Sequence, residues 1–193
     1  MTVLTCIAVY NKSVSVFYLL YLFWWDELLK TSFDLLKYVS KKQELNLPKS
    51  SLINIRTRFF FLMIYIVFIV VIFGFVIDWK NNDLVINNVA VLLFKNTLFN
   101  FSLVTFLCRE VYLYFREENL FIGHHILSQG IITLHLSLIF GILLWFFLTQ
   151  KIQLFEAYAS IIALIPFLLI KLYFEVREIQ HNQKKRLSLL KAK

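Results

Sequence analysis

The chain has 193 residues, 60% of them apolar and 17% charged, and its mean hydropathy is +0.72. A soluble domain is usually about half apolar and a quarter charged, so this composition excludes an ordinary water-soluble fold and points to a single integral membrane domain. The formal charge of +8 does not indicate nucleic acid. Its lysines and arginines lie between and after apolar blocks, as in topology determinants that face anionic lipid.

In chain order, residues 1–10 lack the charged start and cleavage site of a secretory signal peptide. At about 1.5 Å per residue, this stretch is also too short to span a core about 30 Å thick. Five apolar segments follow, at 14–38, 58–77, 89–115, 126–149 and 155–176, with a basic tail at 177–193. The predicted fold is all-α: a polytopic transmembrane bundle of four to five membrane helices with short loops. The uncertainty in the count is segment 14–38, which either spans the membrane or lies flat at its cytoplasmic surface. Lys41, Lys42, Lys49, Arg56 and Arg58 follow the first segment, and Arg177, Lys184, Lys185, Arg186, Lys191 and Lys193 form the tail. By the excess of Lys and Arg in cytoplasmic loops, both regions belong to the cytoplasm of a cell with an inner (plasma) membrane. Trp79 then marks the outer interface.

Segment 14–38 contains "FWWDELLKTSFD". On a helix, Asp26, Glu27, Lys30, Asp34 and Lys37 fall within one stripe about 100° wide, and Asp26–Lys30 and Lys30–Asp34 have the i,i+4 spacing of opposite-charge pairs. The stripe therefore turns toward protein or water while the remaining faces meet lipid.

In segment 58–77 the run "FFFLMIYIVFIVVIFGFVI" carries no charge, and the segment reads as the outermost helix. In segment 89–115, Lys95, Ser102, Thr105, Arg109 and Arg116 share a stripe, with Glu110 beside Arg109. Segment 126–149 carries His135 on the side of Ser128 and His124. Gly130, Thr133, Ser137 and Gly141 form a small-residue strip opposite, suited to close helix contact. The last segment pairs Lys171 with Glu175 at i,i+4 and contains Pro166, which frees a backbone carbonyl and kinks a helix.

Counted from the cytoplasmic ends, Arg109, His135 and Lys171 lie roughly 9–14 Å deep, with Asp26 somewhat deeper. One unpaired central charge costs about 2.5–3.5 kcal/mol to insert, so charges on several helices are most stable where they meet. The candidate polar cluster is Asp26, Glu27, Lys30, Asp34, Arg109, Glu110, His135, Lys171 and Glu175, in the cytoplasmic half of the bundle. A structural ion-pair network, a functional cavity and snorkelling of the long cations to the interface all remain open readings. No second deep histidine accompanies His135, and Cys6 and Cys108 are isolated, so no metal, haem or disulfide framework is expected.

"LLYLFWWDELLKTSFDLLK", "GIITLHLSLIFG" and "LLIKLYFEVREIQH" together resemble a family of small bacterial integral membrane proteins defined as a domain of unknown function. Its aromatic–acidic helix falls here on Trp24 or Trp25, Asp26, Glu27 and Asp34 to Lys37. Its central histidine falls on His135, and its terminal Leu-Leu-Lys helix on Lys171 and Glu175. The resemblance implies fold and membrane location, plus one more N-terminal apolar segment than residues 1–10 supply, and no chemistry.

No GxSxG, HExxH, GxGxxG, P-loop or Cys-rich motif is present. An aspartyl intramembrane protease needs its two aspartates on facing helices, whereas Asp26 and Asp34 share one. Two functions remain. The first is a membrane protein whose polar cluster binds a small ligand, a lipid headgroup or a proton. The second is an accessory subunit whose charged stripes pair with helices of a partner or of a second copy. Beyond the lipid bilayer and such a partner no cofactor is implied, and few glycines in so small a bundle argue against a complete alternating-access transporter.

Overall fold

The computed structural model describes residues 15–41, 49–77, 79, 81–116 and 129–151, together with the isolated positions 169, 172, 173, 176 and 180. Within them the chain is helical, with no strand. Helix α1 is Val16–Lys41, α2 is Lys49–Phe68, α3 is Asn82–Leu92, α4 is Thr97–Arg116 and α5 is Gln129–Lys151. Helix α2 continues without interruption into a π-helix, Ile69–Val76. The predicted segment 155–176 lies outside the described residues except at isolated positions.

Helix α1 is the axis of the assembly and packs against α2, the π-helix, α3, α4 and α5. Phe17 through Trp24, eight consecutive residues, are all buried. A helix that is apolar all round finds its place inside a bundle, and here other helices cover every side. The expectation that the uncharged faces of this segment meet lipid is thereby corrected for its first half. Ser15 caps the helix, accepting from the Tyr18 backbone N–H at 3.2 Å.

Contacts across α1 set the directions of its neighbours. Trp24 Nε1 donates to the Leu62 carbonyl at 2.7 Å, and Asp34 meets Arg58, so α1 and α2 are antiparallel. Tyr18 packs on Phe99 and Asp26 meets Arg109, so α1 and α4 run parallel. Tyr65 reaches His135, and the Phe73 ring lies against Gly141, so α5 runs with α2. Helices α1, α2, α4 and α5 thus alternate up and down.

Helix α2 begins nine residues before the predicted segment, at Lys49 rather than 58. Ile55, Arg58, Leu62, Tyr65, Ile69 and Phe73 form its buried stripe at spacings of three and four, while Phe60, Met63, Val67, Phe68 and Val71 are exposed. Two helical stretches, Lys49–Val76 and Asn82–Arg116, are long and apolar enough to cross a membrane by length and composition. Helix α1 fails that composition test because Asp26, Glu27, Lys30 and Asp34 interrupt it.

The predicted continuous segment 89–115 is broken. Helix α3 ends in a Schellman motif: Phe94 N–H bonds to Val91 O at 3.1 Å and Lys95 N–H to Ala90 O at 2.8 Å. Phe94 takes the left-handed position, with φ 57°, which ordinarily selects glycine because a Cβ there costs about 1 kcal/mol or more. Its ring contacts Tyr21, Trp25 and Phe99, with the Trp25 ring 5.6 Å away. Asn96 then caps α4, accepting from Phe99 N–H at 3.0 Å. Lys95 is therefore off the helix that carries Arg109, and of the predicted stripe Ser102 is buried while Thr105 is exposed.

The π-helix has a partner for its displaced backbone. Asn88 on α3 is buried, donates Nδ2 to Gly74 O at 3.2 Å, and accepts from Ser15 Oγ at 2.6 Å. Ser137 and Gly141, from the predicted small-residue strip, are both buried on α5. A Cβ at Gly141 would sit 2.9 Å from two atoms of the Phe73 ring, so only glycine allows this approach.

Candidate functional site

The charged side of α1 is buried together with its counter-charges. Lys30 Nζ lies 3.1 Å from Asp26 Oδ2 and 3.0 Å from Glu27 Oε1, one turn away on the same helix. Of these, Asp26–Lys30 is the i,i+4 pair expected from the spacing, while Glu27–Lys30 forms at i,i+3. Two arginines from neighbouring helices complete the group.

From α2, Arg58 donates Nη1 to Asp34 Oδ2 at 2.6 Å and holds Nη2 3.7 Å from Glu27 Oε2. Its side chain is 0% exposed. Its Nε and Nη2 hydrogens find no acceptor among the described residues. From α4, Arg109 donates Nη2 to Asp26 Oδ1 at 2.6 Å, and Nε to Glu110 Oε1 at 2.9 Å. Its guanidinium also stands over the Phe106 ring, 5.6 Å from the centroid.

The geometry brings together Asp26, Glu27, Lys30, Asp34, Arg109 and Glu110 of the expected cluster. All four carboxylates are buried. Taking a charge out of water costs several kcal/mol even after relaxation, and only close opposite charges and further hydrogen bonds offset this. The network is therefore strongly selective about its members. Removing one leaves a buried, uncompensated charge, at about 3–5 kcal/mol.

His135 is not part of it. Its Nδ1 lies 3.2 Å from Tyr65 Oη, the residue itself is exposed, and Tyr65 stands seven residues beyond Arg58, about 10 Å further along α2. Lys171 and Glu175 lie outside the described residues. No grouping of three His, Cys, Asp or Glu side chains able to hold a metal occurs among the described residues.

Arg58 is the member that sequence reasoning misses, because it follows a basic stretch that reads as a loop of topology determinants. The signal is present: Arg58 occupies a position in the buried stripe Ile55–Arg58–Leu62–Tyr65–Ile69, where an apolar residue would be ordinary. A charge in that register, opposite a helix carrying three acids, marks a cross-helix pair.

The network is sealed around Arg58 and open at Arg109, whose side chain is 35% exposed. At that edge Arg109 Nη1 makes no hydrogen bond, and both bonds to Glu110 go to Oε1, leaving Oε2 without a donor among the described residues. The site thus presents one partly exposed cationic donor, with the largely buried Glu110 carboxylate, 11% exposed, beside it. No family model, curated protein or solved structure matches the chain.

Proposed function

We propose that the chain is a multi-pass integral membrane protein, with four to five membrane helices, whose buried ion-pair network binds a small polar ligand or lipid headgroup at its open edge. The supporting observation is the asymmetry of the network: Arg58 is completely enclosed, whereas Arg109, joined to the same helix α1, is one-third exposed. The partly exposed Arg109 leaves a charged donor within reach of an outside partner, which the enclosed Arg58 does not.

The alternation of α1, α2, α4 and α5 supports the multi-pass reading, as do the two stretches of spanning length. The basic residues Lys41, Lys42, Lys49 and Arg56 lie at the α1–α2 junction, and Arg116 lies at the end of α4. The excess of Lys and Arg in cytoplasmic loops makes this end cytoplasmic, with the basic C-terminal tail on the same side of a bacterial inner membrane.

The accessory-subunit reading has less support, because the α1 stripe finds its counter-charges on α2 and α4 of the same chain rather than presenting them to a partner. Native mass spectrometry on protein gently extracted from its own membranes tests the choice. Retained extra mass, lost in Arg109→Gln, is expected. A bare protomer overturns the binding reading, and a second polypeptide at fixed stoichiometry replaces it with the accessory one.

A further inference from the structure

We infer that the open edge formed by Arg109 and Glu110 takes the phosphoethanolamine headgroup of a membrane lipid. This inference rests on the reading above, that the network is a binding site within a membrane protein, and specifies its ligand.

The first argument is the pattern of donors and acceptors. Arg109 Nη1 offers a charged N–H to an oxyanion, and Glu110 Oε2 offers a charged acceptor to an ammonium. The two residues are consecutive, and their side chains are already bonded through Nε and Oε1 at 2.9 Å. A headgroup in which two carbons join a phosphate to a primary ammonium can place its two charges on this neighbouring pair at once. Hydrogen bonds between ionised partners are the strong ones, roughly twice as strong as neutral pairs.

The second argument is charge. Arg109 stands between two carboxylates, Asp26 at 2.6 Å and Glu110 at 2.6 Å from Nη2. A purely anionic headgroup would bring a third negative charge beside them and meet repulsion that rises as the dielectric falls. A zwitterion adds no net charge and turns the Glu110 carboxylate from an obstacle into a partner. A quaternary ammonium has no N–H to donate, so a choline headgroup satisfies only the arginine.

The third argument is position. Arg109 lies two turns from the Arg116 end of α4, the end nearer the membrane surface under the reading above. Cys108, Val111, Tyr112 and Phe115 around it are exposed, an apolar and aromatic surface suited to acyl chains. Toward the helix end, Arg116 is held over Tyr112, with Nη1 2.8 Å from its hydroxyl, and so does not compete for Glu110.

The test is lipid titration of the purified full chain followed by native mass spectrometry, using phosphatidylethanolamine, phosphatidylcholine and phosphatidylglycerol with identical acyl chains. The expected result is at least about tenfold preference for ethanolamine over the other two, the scale of one hydrogen bond to a charged group. Glu110→Gln is expected to bring ethanolamine and choline within about twofold of each other. The comparison of headgroups on the unmodified protein holds even where Arg109→Gln fails to fold. Equal retention of all three lipids overturns the headgroup assignment, and so does preferred retention of phosphatidylcholine or phosphatidylglycerol. If a non-lipid mass from native membranes is retained instead, the binding-site reading stands and only the lipid is wrong. If nothing is retained, both fall.

Discussion

Arg58 on α2 and Asp34 on α1 form a 2.6 Å ion pair across the helix interface, and no part of the arginine side chain reaches the surface. The pair ties the charged stripe of the central helix to the helix beside it. Because Nε and Nη2 already lack acceptors among the described residues, Arg58 depends on Asp34 and the more distant Glu27 for all its compensation. Arg58→Met therefore removes the Arg58 counter-charge from the buried carboxylates of Asp34 and Glu27, and a loss of about 3–5 kcal/mol is expected. The double variant Arg58→Met, Asp34→Asn should recover part of that loss. Thermal unfolding of the detergent-solubilised protein measures it, and a loss below about 1 kcal/mol for Arg58→Met would contradict the enclosed pair.

Gly141 is where α5 comes nearest the π-helix. A methyl group there would stand 2.9 Å from Phe73 Cε1 and Cζ, so one helix must move. Gly141→Ala is expected to cost about 1–3 kcal/mol, the range for overpacking a close contact. In a Phe73→Leu background the same change should cost clearly less. A double-mutant cycle that came out additive would mean the two residues are not in contact.

Among its partners Asn88 has the Gly74 and Phe73 carbonyls of the π-helix and the Ser15 hydroxyl that caps α1. Asn88→Leu keeps the volume and removes all three bonds, leaving buried backbone acceptors unmatched at about 1–3 kcal/mol. Ser15→Ala removes the cap and one bond, and about 1 kcal/mol is the expected loss. Unfolding midpoints that ranked Ser15→Ala as the more damaging would count against this account.

At the break between α3 and α4, Asn96→Ala should cost about 1 kcal/mol through the lost cap. Phe94→Gly sets two effects against each other. Glycine relieves the left-handed strain of about 1–2 kcal/mol, but the ring contacts with Tyr21, Trp25 and Phe99 disappear, at about 3–5 kcal/mol for a buried phenylalanine and less for this partly exposed one. Net destabilisation is expected. A more stable Phe94→Gly would show that the aromatic contacts do not hold the turn.

What was legible in the sequence is what depends on near neighbours. Asp26, Glu27, Lys30 and Asp34 share a stripe by helical geometry alone, and Lys30 lies on Asp26 as the i,i+4 spacing requires, with Glu27 as its second partner at i,i+3. The all-helical class and the apolar stretches follow from composition and run length for the same reason. Burial of the stripe followed from the expense of isolated charges, and Arg109 with Glu110 was found on that argument.

Tertiary structure decided the rest, because partners distant in sequence are selected by packing. Arg58 sits among basic residues that resemble a loop, and only the start of α2 at Lys49 and its antiparallel approach to α1 place that guanidinium on Asp34. Phe94 breaks a helix without glycine, a choice stabilised by rings from α1 that lie some 70 residues earlier. His135 shares the polarity of the cluster but meets Tyr65 instead, because the rotation of α5 is set by Phe73 fitting against Gly141. The sequence by itself determined that the chain is helical and which helix faces carry charge, since both depend on residues within a turn or two. Which charge meets which was left to helix packing, where close fit and the expense of an unpaired buried ion admit few arrangements.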